Sequence, residues 1–218
     1  MEYTLFLAPQ RCIGCRACVA ACRECDSHRG LAMVFIDFLD REQSFATAPS
    51  VCMHCQDPIA PCAQVCPTQA ILVDGDGVVH QANKERCIAC RNCVYACPFG
   101  IPKIELVQQQ QYKCNMCYDR VVEGKKPACA TVCPSEAITY STYAEISSSQ
   151  RLGKPTNVFA FGSQIVRTAV YVMAPPDIPV LPIRPLEAFK PGLIPVTQDI
   201  RPGTSSDGGN DFETDTTT

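Results

Sequence analysis

The sequence predicts an α+β fold in which short strands alternate with short helices and a similar unit occurs twice. The hexapeptides Cys66–Ile71 and Cys133–Ile138 are nearly the same, and 97–101 is a looser third copy. Such internal similarity indicates repeated structural units. The apolar tripeptides 71–73 and 78–80 flank a turn that contains two glycines, which predicts a β-hairpin.

The remaining elements of the cysteine-bearing part are short as well. Strand candidates are 4–7, 33–38 and 138–140. Brief helices are expected between cysteines, at 18–22 and 62–66. These short pieces are typical of a ferredoxin-like α+β pattern, built twice.

Three regions follow from the distribution of cysteine and proline, since every cysteine lies between positions 12 and 133. Residues 1–150 are the predicted cysteine-bearing domain. Residues 151–202 form an irregular proline-rich extension in which 155–162 can pair with 165–172; its stretch 175–202 fits neither a helix nor a sheet interior. The extension is expected to be a strap on its own domain or an arm on a partner. The polar, acidic tail 203–218 is predicted to be disordered.

The composition does not supply one large apolar core. Hydrophobic residues make up 46% of the 218-residue chain, but this figure includes 17 cysteines, and there are 18 prolines and no tryptophan. A bound group must therefore help to hold the fold together. The N-terminus has no basic or long apolar stretch, so we expect neither a leader nor a membrane span. The expected location is the cytoplasm, where thiols stay reduced, although export together with a partner stays open.

Sixteen of the cysteines fall into four quartets. Quartets one and three have the spacing C-x2-C-x2-C-x3-C, and quartets two and four have a longer insertion before the third cysteine. Quartet one is Cys12, Cys15, Cys18 and Cys22; quartet two is Cys52, Cys55, Cys62 and Cys66; quartet three is Cys87, Cys90, Cys93 and Cys97; quartet four is Cys114, Cys117, Cys129 and Cys133. Proline follows the last cysteine of quartets two, three and four.

This spacing predicts one [4Fe–4S] cluster per quartet and a ferredoxin-like unit built twice. A tight C-x2-C-x2-C loop can wrap three irons of a cube, and a cysteine four residues further on can reach a second cluster. A zinc-stapled interaction module is the alternative of another class, but paired C-x2-C zinc motifs do not explain the repeated four-cysteine pattern. Disulfides do not fit an odd cysteine count without a secretory leader.

The expected charge is more negative than the formal value of −3. Sixteen thiolates around four oxidised clusters add roughly eight further negative charges, so nucleic acid is not an expected partner. Basic residues near the cysteines either solvate the surface or offset cluster charge and raise reduction potentials. They are Arg11, Arg16, Lys84, Arg86, Arg91, Lys113 and Arg120.

The residues outside the quartets offer little further chemistry. Cys25 is expected to be a small structural thiol, with a redox role as the sharper alternative. His54 lies inside a C-x2-C loop and is expected to hydrogen-bond backbone or cluster sulfur, whereas His28 and His80 are expected to be ordinary polar residues. We find no phosphate-binding, dinucleotide, hydrolase or zinc-protease motif, so the chain is not expected to be an enzyme by itself.

Several segments resemble the four-cluster ferredoxin-type subunits of molybdopterin oxidoreductases, such as dimethyl sulfoxide reductase, formate dehydrogenase and formate hydrogenlyase. The similar segments are 52–58, Cys87–Cys93, Cys97–Gly100 and Lys113–Arg120. The resemblance covers about residues 1–145. It implies an electron-transfer subunit that pairs with a large molybdenum or tungsten pterin subunit. It also implies a second redox partner, which is a flavin subunit, a hydrogenase, a soluble carrier or a membrane quinone module.

The resemblance also implies that quartets exchange their last cysteines. Cluster 1 would take Cys12, Cys15, Cys18 and Cys133; cluster 2 would take Cys52, Cys55, Cys62 and Cys97; cluster 3 would take Cys87, Cys90, Cys93 and Cys66; cluster 4 would take Cys114, Cys117, Cys129 and Cys22. From the residues alone, pairing of quartet one with two and of three with four is equally allowed. A free-standing or filament-forming polyferredoxin remains the alternative to a complex with a pterin subunit.

Two features differ among members of that family. Six residues, 56–61, separate the second and third cysteines of quartet two, where relatives usually have four, so the loop over that cluster is expected to be remodelled. Some relatives replace a quartet-three cysteine by tryptophan and hold a three-iron cluster. Cys90 is intact here, so four cubane clusters are expected.

Overall fold

The computed structural model describes residues 2–28, 30–41, 44–149 and 153–183. The helices are α1 (Ala17–Arg23), α2 (Pro61–Gln64), α3 (Asn92–Ala96), α4 (Tyr118–Val122), α5 (Ala128–Val132) and α6 (Tyr143–Ser149). The strands are β1 (Tyr3–Leu7), β2 (Phe35–Arg41), β3 (Ser44–Ser50), β4 (Cys55–Asp57), β5 (Ile71–Val73), β6 (Val79–Ala82), β7 (Lys103–Glu105), β8 (Gln110–Tyr112), β9 (Ile138–Thr142), β10 (Lys154–Phe161), β11 (Gln164–Ala174) and β12 (Leu181–Ile183). These short elements confirm the predicted α+β class, whereas duplication of a whole unit stays a prediction.

A six-stranded sheet connects the two ends of the described chain. Its order is β12-β10-β11-β1-β9, and β4 also pairs with β11. Strand β1 runs antiparallel to β9, with Leu5 opposite Tyr140, and parallel to β11, with Phe6 opposite Tyr171. Four successive residues of β1 are buried, as expected for a strand covered on both faces. The N-terminal strand is therefore internal to this sheet.

Strands β10 and β11 form the predicted C-terminal hairpin. Strand β12 pairs only with β10 among the described strands, so Pro182 lies at a sheet edge, where a missing N–H is tolerated. Strands β9 and β11 both pair with β1, so the sheet continues across the predicted boundary at residue 150. The proline-rich residues after 183 and the predicted tail 203–218 lie outside the described residues.

Three two-stranded hairpins complete the β-structure, and they include the predicted pairing of β5 with β6. The others are β2 with β3, where β2 begins two residues later than predicted, and β7 with β8. Over the described part of the chain, no helix has the length and apolar character that crossing a bilayer requires.

The main apolar core extends from the six-stranded sheet to the cysteine-bearing loops. Leu5, Phe159 and Val170 are buried in one cluster together with Cys18 and Cys52. A second, smaller core contains Cys62 and Cys93 together with small side chains, including alanines. Because apolar groups and cysteines share the same cores, the loops that hold the thiols are packed directly against the sheet.

Candidate metal centres

The first Cys-x-x-Cys loop of every quartet bends in the same way. The residue before the second cysteine has a positive φ in each loop: Gly14 (69°), His54 (48°), Ala89 (53°) and Met116 (59°). Three of these residues are not glycine, so the conformation costs free energy that the surroundings must offset. Alternating right- and left-handed conformations turn successive N–H groups to one side and form an anion-binding concavity. The loops are therefore shaped to surround negative charge.

The turns that follow the three Cys-Pro pairs are also alike. The third residue after the cysteine has a positive φ in every copy: Gln69 (49°), Gly100 (63°) and Glu136 (54°). The repeated sequence thus produces a repeated backbone turn, which brings the chain back towards the cysteine. In the first copy, the N–H of Ala70 donates to Cys66 Sγ at 3.3 Å.

Three cavities are each lined by four cysteines. Site 1 is the cavity at Cys12, Cys15, Cys18 and Cys133. Site 2 is the cavity at Cys52, Cys55, Cys62 and Cys97. Site 3 is the cavity at Cys66, Cys87, Cys90 and Cys93. In each of them, three cysteines come from one quartet and the fourth is the last cysteine of another quartet.

The four quartet cysteines that remain are all buried and define site 4; they are Cys22, Cys114, Cys117 and Cys129. Burial raises the pKa of the Cys129 thiol well above its usual value, and the charges of Cys114, Cys117 and Cys22 raise it further. Such charge effects are strong only between close neighbours. The last cysteine of quartet one thus lies with the first three of quartet four.

Electrostatic effects between thiols also connect the four sites in a row. They join Cys129 to Cys18, Cys114 to Cys52, and Cys62 to Cys93. The order is therefore site 1, site 4, site 2 and site 3. Cys15 at one end and Cys90 at the other are exposed, whereas all four cysteines of site 4 are buried.

Several of the buried thiols are poor acids without a bound cation. Burial and neighbouring cysteines raise the pKa of Cys18 and of Cys93 to about 11 and that of Cys55 to about 12. Several thiolates in one buried cavity are mutually repulsive, so a metal centre is needed to hold them deprotonated. All 17 cysteines are free of disulfides. Four sulfur donors in an apolar cavity suit iron–sulfur clusters.

Backbone N–H groups support this assignment because they already point at sulfur. The N–H of Met33 donates to Cys22 Sγ at 3.1 Å, and that of Met116 donates to Cys114 Sγ at 3.3 Å. Hydrogen bonds of this kind stabilise the anionic ligand and raise the potential of a cluster that it holds.

His28 is not an ordinary polar residue, so the sequence-based expectation for it is wrong. The ring is fully buried. Its Nδ1 lies 2.8 Å from the carbonyl oxygen of Cys22 and 3.2 Å from Sγ of the same residue. Its Nε2 lies 2.9 Å from Oδ1 of Asn115. Burial disfavours the charged ring, but the hydrogen bonds and charge of Cys22 raise the pKa to about 9. No motif marks His28 in the sequence.

His54 makes the predicted hydrogen bond to the backbone. Its Nδ1 accepts the N–H of Val79 at 3.0 Å, and its buried Nε2 has no hydrogen-bond partner within the described ranges. Burial, assisted by the positive charge of Lys113, lowers the pKa of His54 well below its usual value. His80 instead pairs with Asp74 at 2.9 Å, as an ordinary polar residue would.

Cys25 lies outside the four sites but next to one of them. Its Sγ is 3.7 Å from Oδ2 of Asp119 and 3.6 Å from Oγ of Ser27, and the side chain is buried. Its sulfur, a ring nitrogen of His28 and the sulfur of Cys117 lie within 4.8 Å of one another. The location agrees with a structural thiol and leaves the redox alternative a prediction.

Comparisons with known proteins identify the family. Residues 43–142 match the family described as a 4Fe-4S dicluster domain. The chain is 38% identical over 152 residues to the electron transfer subunit of thiosulfate reductase from Salmonella typhi. This alignment covers 66% of this chain and 78% of that protein. It is 35% identical over 158 residues to the B subunit of anaerobic dimethyl sulfoxide reductase from Escherichia coli strain K12, with coverages of 66% and 76%. It is 31% identical over 156 residues to the iron-sulfur subunit of the nitrate-inducible formate dehydrogenase of the same organism, with coverages of 62% and 52%.

Proposed function

Because the chain belongs to the family of iron–sulfur electron-transfer subunits of molybdopterin oxidoreductases, we propose that it holds four [4Fe–4S] clusters, one at each of sites 1 to 4. It is an electron-transfer component and not a catalytic subunit. The observation that supports the number four is that sixteen cysteines gather into four separate groups of four.

The proposed ligand sets are those of the four sites, with the last cysteines exchanged between quartets one and four and between quartets two and three. The exchange is supported by the cavity at site 1, where Cys133 lies with Cys12, Cys15 and Cys18. The alternative pairing of quartet one with two would require Cys66 at the loop of quartet one, whereas Cys66 lines the cavity of site 3 with Cys87, Cys90 and Cys93. A cysteine at the end of a short helix can reach the neighbouring cluster because the helix points it away from its own loop.

The clusters would supply one-electron redox chemistry, and the protein would position them and set their potentials. The row of sites 1, 4, 2 and 3 suggests a linear path between two surfaces. At its ends, the exposed side chains of Cys15 and Cys90 place sites 1 and 3 near the surface, where a partner's redox centre could approach. Sites 4 and 2, none of whose cysteines is exposed, would serve as the interior steps.

The partner at one end would be a large molybdenum or tungsten pterin subunit, as in the relatives' complexes. The other partner would be a flavin subunit, a hydrogenase, a soluble carrier or a membrane quinone module. Cytoplasmic location remains our prediction. Size-exclusion chromatography of the native material distinguishes this function from that of a free-standing polyferredoxin, because only the former elutes together with a pterin subunit.

Metal analysis tests the number of clusters. Anaerobically purified protein should contain about 16 iron atoms and 16 acid-labile sulfides per chain, as four cubanes require. Stoichiometric zinc without labile sulfide would refute the proposal. Reduced protein should show an electron paramagnetic resonance (EPR) spectrum of interacting [4Fe–4S] clusters.

Single cysteine-to-serine variants test the ligand sets. Cys133→Ser should remove or convert the same EPR component as Cys12→Ser, because both residues would hold cluster 1. Cys22→Ser should affect the component that is lost in Cys117→Ser. If Cys133→Ser and Cys117→Ser altered one and the same component, each quartet would hold its own cluster and the exchange would be wrong.

A further inference from the structure

Lys113 places a buried positive charge between sites 2 and 4. Its side chain is only 1% exposed. The Nζ group donates hydrogen bonds to the carbonyl oxygens of Val79 and, at 3.1 Å, of Cys114, and it lies 3.8 Å from Sγ of Cys52. Each of the three ammonium protons thus has an acceptor, and one acceptor is the sulfur of a site 2 cysteine.

Among the described residues, no carboxylate compensates this charge. Lys113 forms no ion pair with any residue of the described segments. Burying an ammonium group without a counter-charge costs several kcal/mol, and such groups are retained where an anion offsets the cost. The side chain lines the cavity of site 2. The anion that its position fits is therefore the thiolate-held group in that cavity.

The ammonium group lies against both sites, because its side chain lines the cavity of site 2 and its Nζ donates to the carbonyl oxygen of Cys114 in site 4. The other basic residues near the cysteine motifs lie closer to solvent. Arg16 and Arg91 are exposed, and Arg11 pairs with Glu136 at the surface. Water screens those charges far more than it screens Lys113.

We propose that Lys113 raises the reduction potentials of the two interior clusters, at sites 2 and 4, relative to those of the outer clusters. The inference rests on the proposed function, since it needs clusters at those sites. Reduction adds one negative charge to a cluster, and a fixed positive charge at short distance stabilises the reduced form more than the oxidised form. The effect is largest at site 2, whose cysteine sulfur faces the ammonium group directly.

The test is a potentiometric titration followed by EPR, carried out on the native complex. Lys113→Met keeps most of the side-chain volume and removes the charge. We expect the reduction equilibrium of the site 2 cluster to become at least tenfold less favourable, which is 59 mV for a one-electron couple, with a smaller change at site 4. Lys113→Arg should restore most of the wild-type potential, which a role in packing alone would not explain.

Lys103→Met is the matched control. Lys103 is exposed, and its Nζ donates to the carbonyl oxygen of Gly100 at 2.9 Å, close to another site 2 cysteine, Cys97. This variant should change the reduction equilibrium constant of every cluster by less than about twofold. An equal shift in Lys103→Met and Lys113→Met would overturn the proposal, because it would show a general surface-charge effect.

Other outcomes also decide the matter. Full cluster content with unchanged potentials in Lys113→Met refutes the proposal. If Lys113→Met fails to assemble clusters, Lys113→Gln provides a second neutral variant. If Lys113→Arg assembles its clusters while Lys113→Met and Lys113→Gln do not, the positive charge is needed at this position. If Lys113→Arg also fails to assemble clusters, the role of Lys113 is purely steric and the proposal is wrong. Absence of labile sulfide from the unmodified chain would instead refute the proposed function.

Discussion

Phe159 connects the C-terminal hairpin to site 2. Its ring is buried and meets the ring of Phe99 edge to face at a centroid distance of 5.1 Å. Phe99 in turn lines the site 2 cavity, two residues after Cys97. Truncating a buried phenylalanine to alanine costs about 3–5 kcal/mol, and the lost aromatic pair accounts for about 0.5–1.5 kcal/mol of this. We therefore expect Phe159→Ala to destabilise the fold and the adjacent site together.

Phe161→Ala is the matched control, because Phe161 also meets Phe99 at 5.1 Å but is only half-buried. Its expected cost is about 1–2 kcal/mol, since less apolar area is removed from the core. The assay is the rate at which cluster absorbance is lost at a fixed denaturant concentration, because unfolding with cluster loss is irreversible.

The two variants should differ clearly in this assay. A loss of 3 kcal/mol, expressed fully in unfolding, accelerates the decay roughly 150-fold, whereas a loss of about 1–2 kcal/mol in the control should accelerate it about 5- to 30-fold. Equal rates for the two variants, or a Phe159→Ala rate like that of the unmodified protein, would refute the packing argument. The hairpin would then not support site 2.

Three further predictions concern backbone geometry and the metal. Gly14→Ala should lower the melting temperature by several degrees, because the added Cβ would lie 3.0 Å from Cγ2 of Thr47 and the backbone φ is +69°. Ala89→Gly, at the equivalent position of quartet three, should change the free energy of unfolding by less than about 1 kcal/mol. Equal effects of the two substitutions would contradict the shared loop geometry. Gly153→Ala should destabilise far more than Gly162→Ala in the same hairpin, because its Cβ would clash with a β11 carbonyl oxygen, whereas Gly162 has open space; calorimetry distinguishes them. Removal of iron by acid and chelator should abolish the near-UV circular dichroism signal, and a native-like spectrum of the iron-free chain would show that the fold does not depend on metal.

Local sequence determines much of the candidate site. The C-x2-C spacing and the Cys-Pro turns predicted metal-binding loops, and the structure shows the same positive φ in all four loops, even where the residue is Ala89 or Met116. The β5–β6 and β10–β11 hairpins were also predictable, because a turn and two short apolar runs adjoin in sequence. Such features depend on neighbours within a few residues, so their physical cause is contained in the pattern itself.

Long-range placement was not predictable in the same way. Seven basic residues near the cysteines looked alike, and only Lys113 proves to be buried. His28 carried no motif, yet it contacts Cys22. Burial depends on which distant segments cover a side chain, and the apolar pattern of a short loop does not encode those contacts. Charge and polarity alone could therefore not rank these residues.

The sequence by itself determined that sixteen thiols are arranged in quartets suited to iron–sulfur clusters, because ligand spacing is a property of the local chain. Only the tertiary structure decided which segments meet: Cys133 lies beside Cys12, and β11 lies beside β1, although each pair is far apart in the chain. Both meetings result from packing of short elements into shared cores, where the free energy of burial is summed over the whole fold.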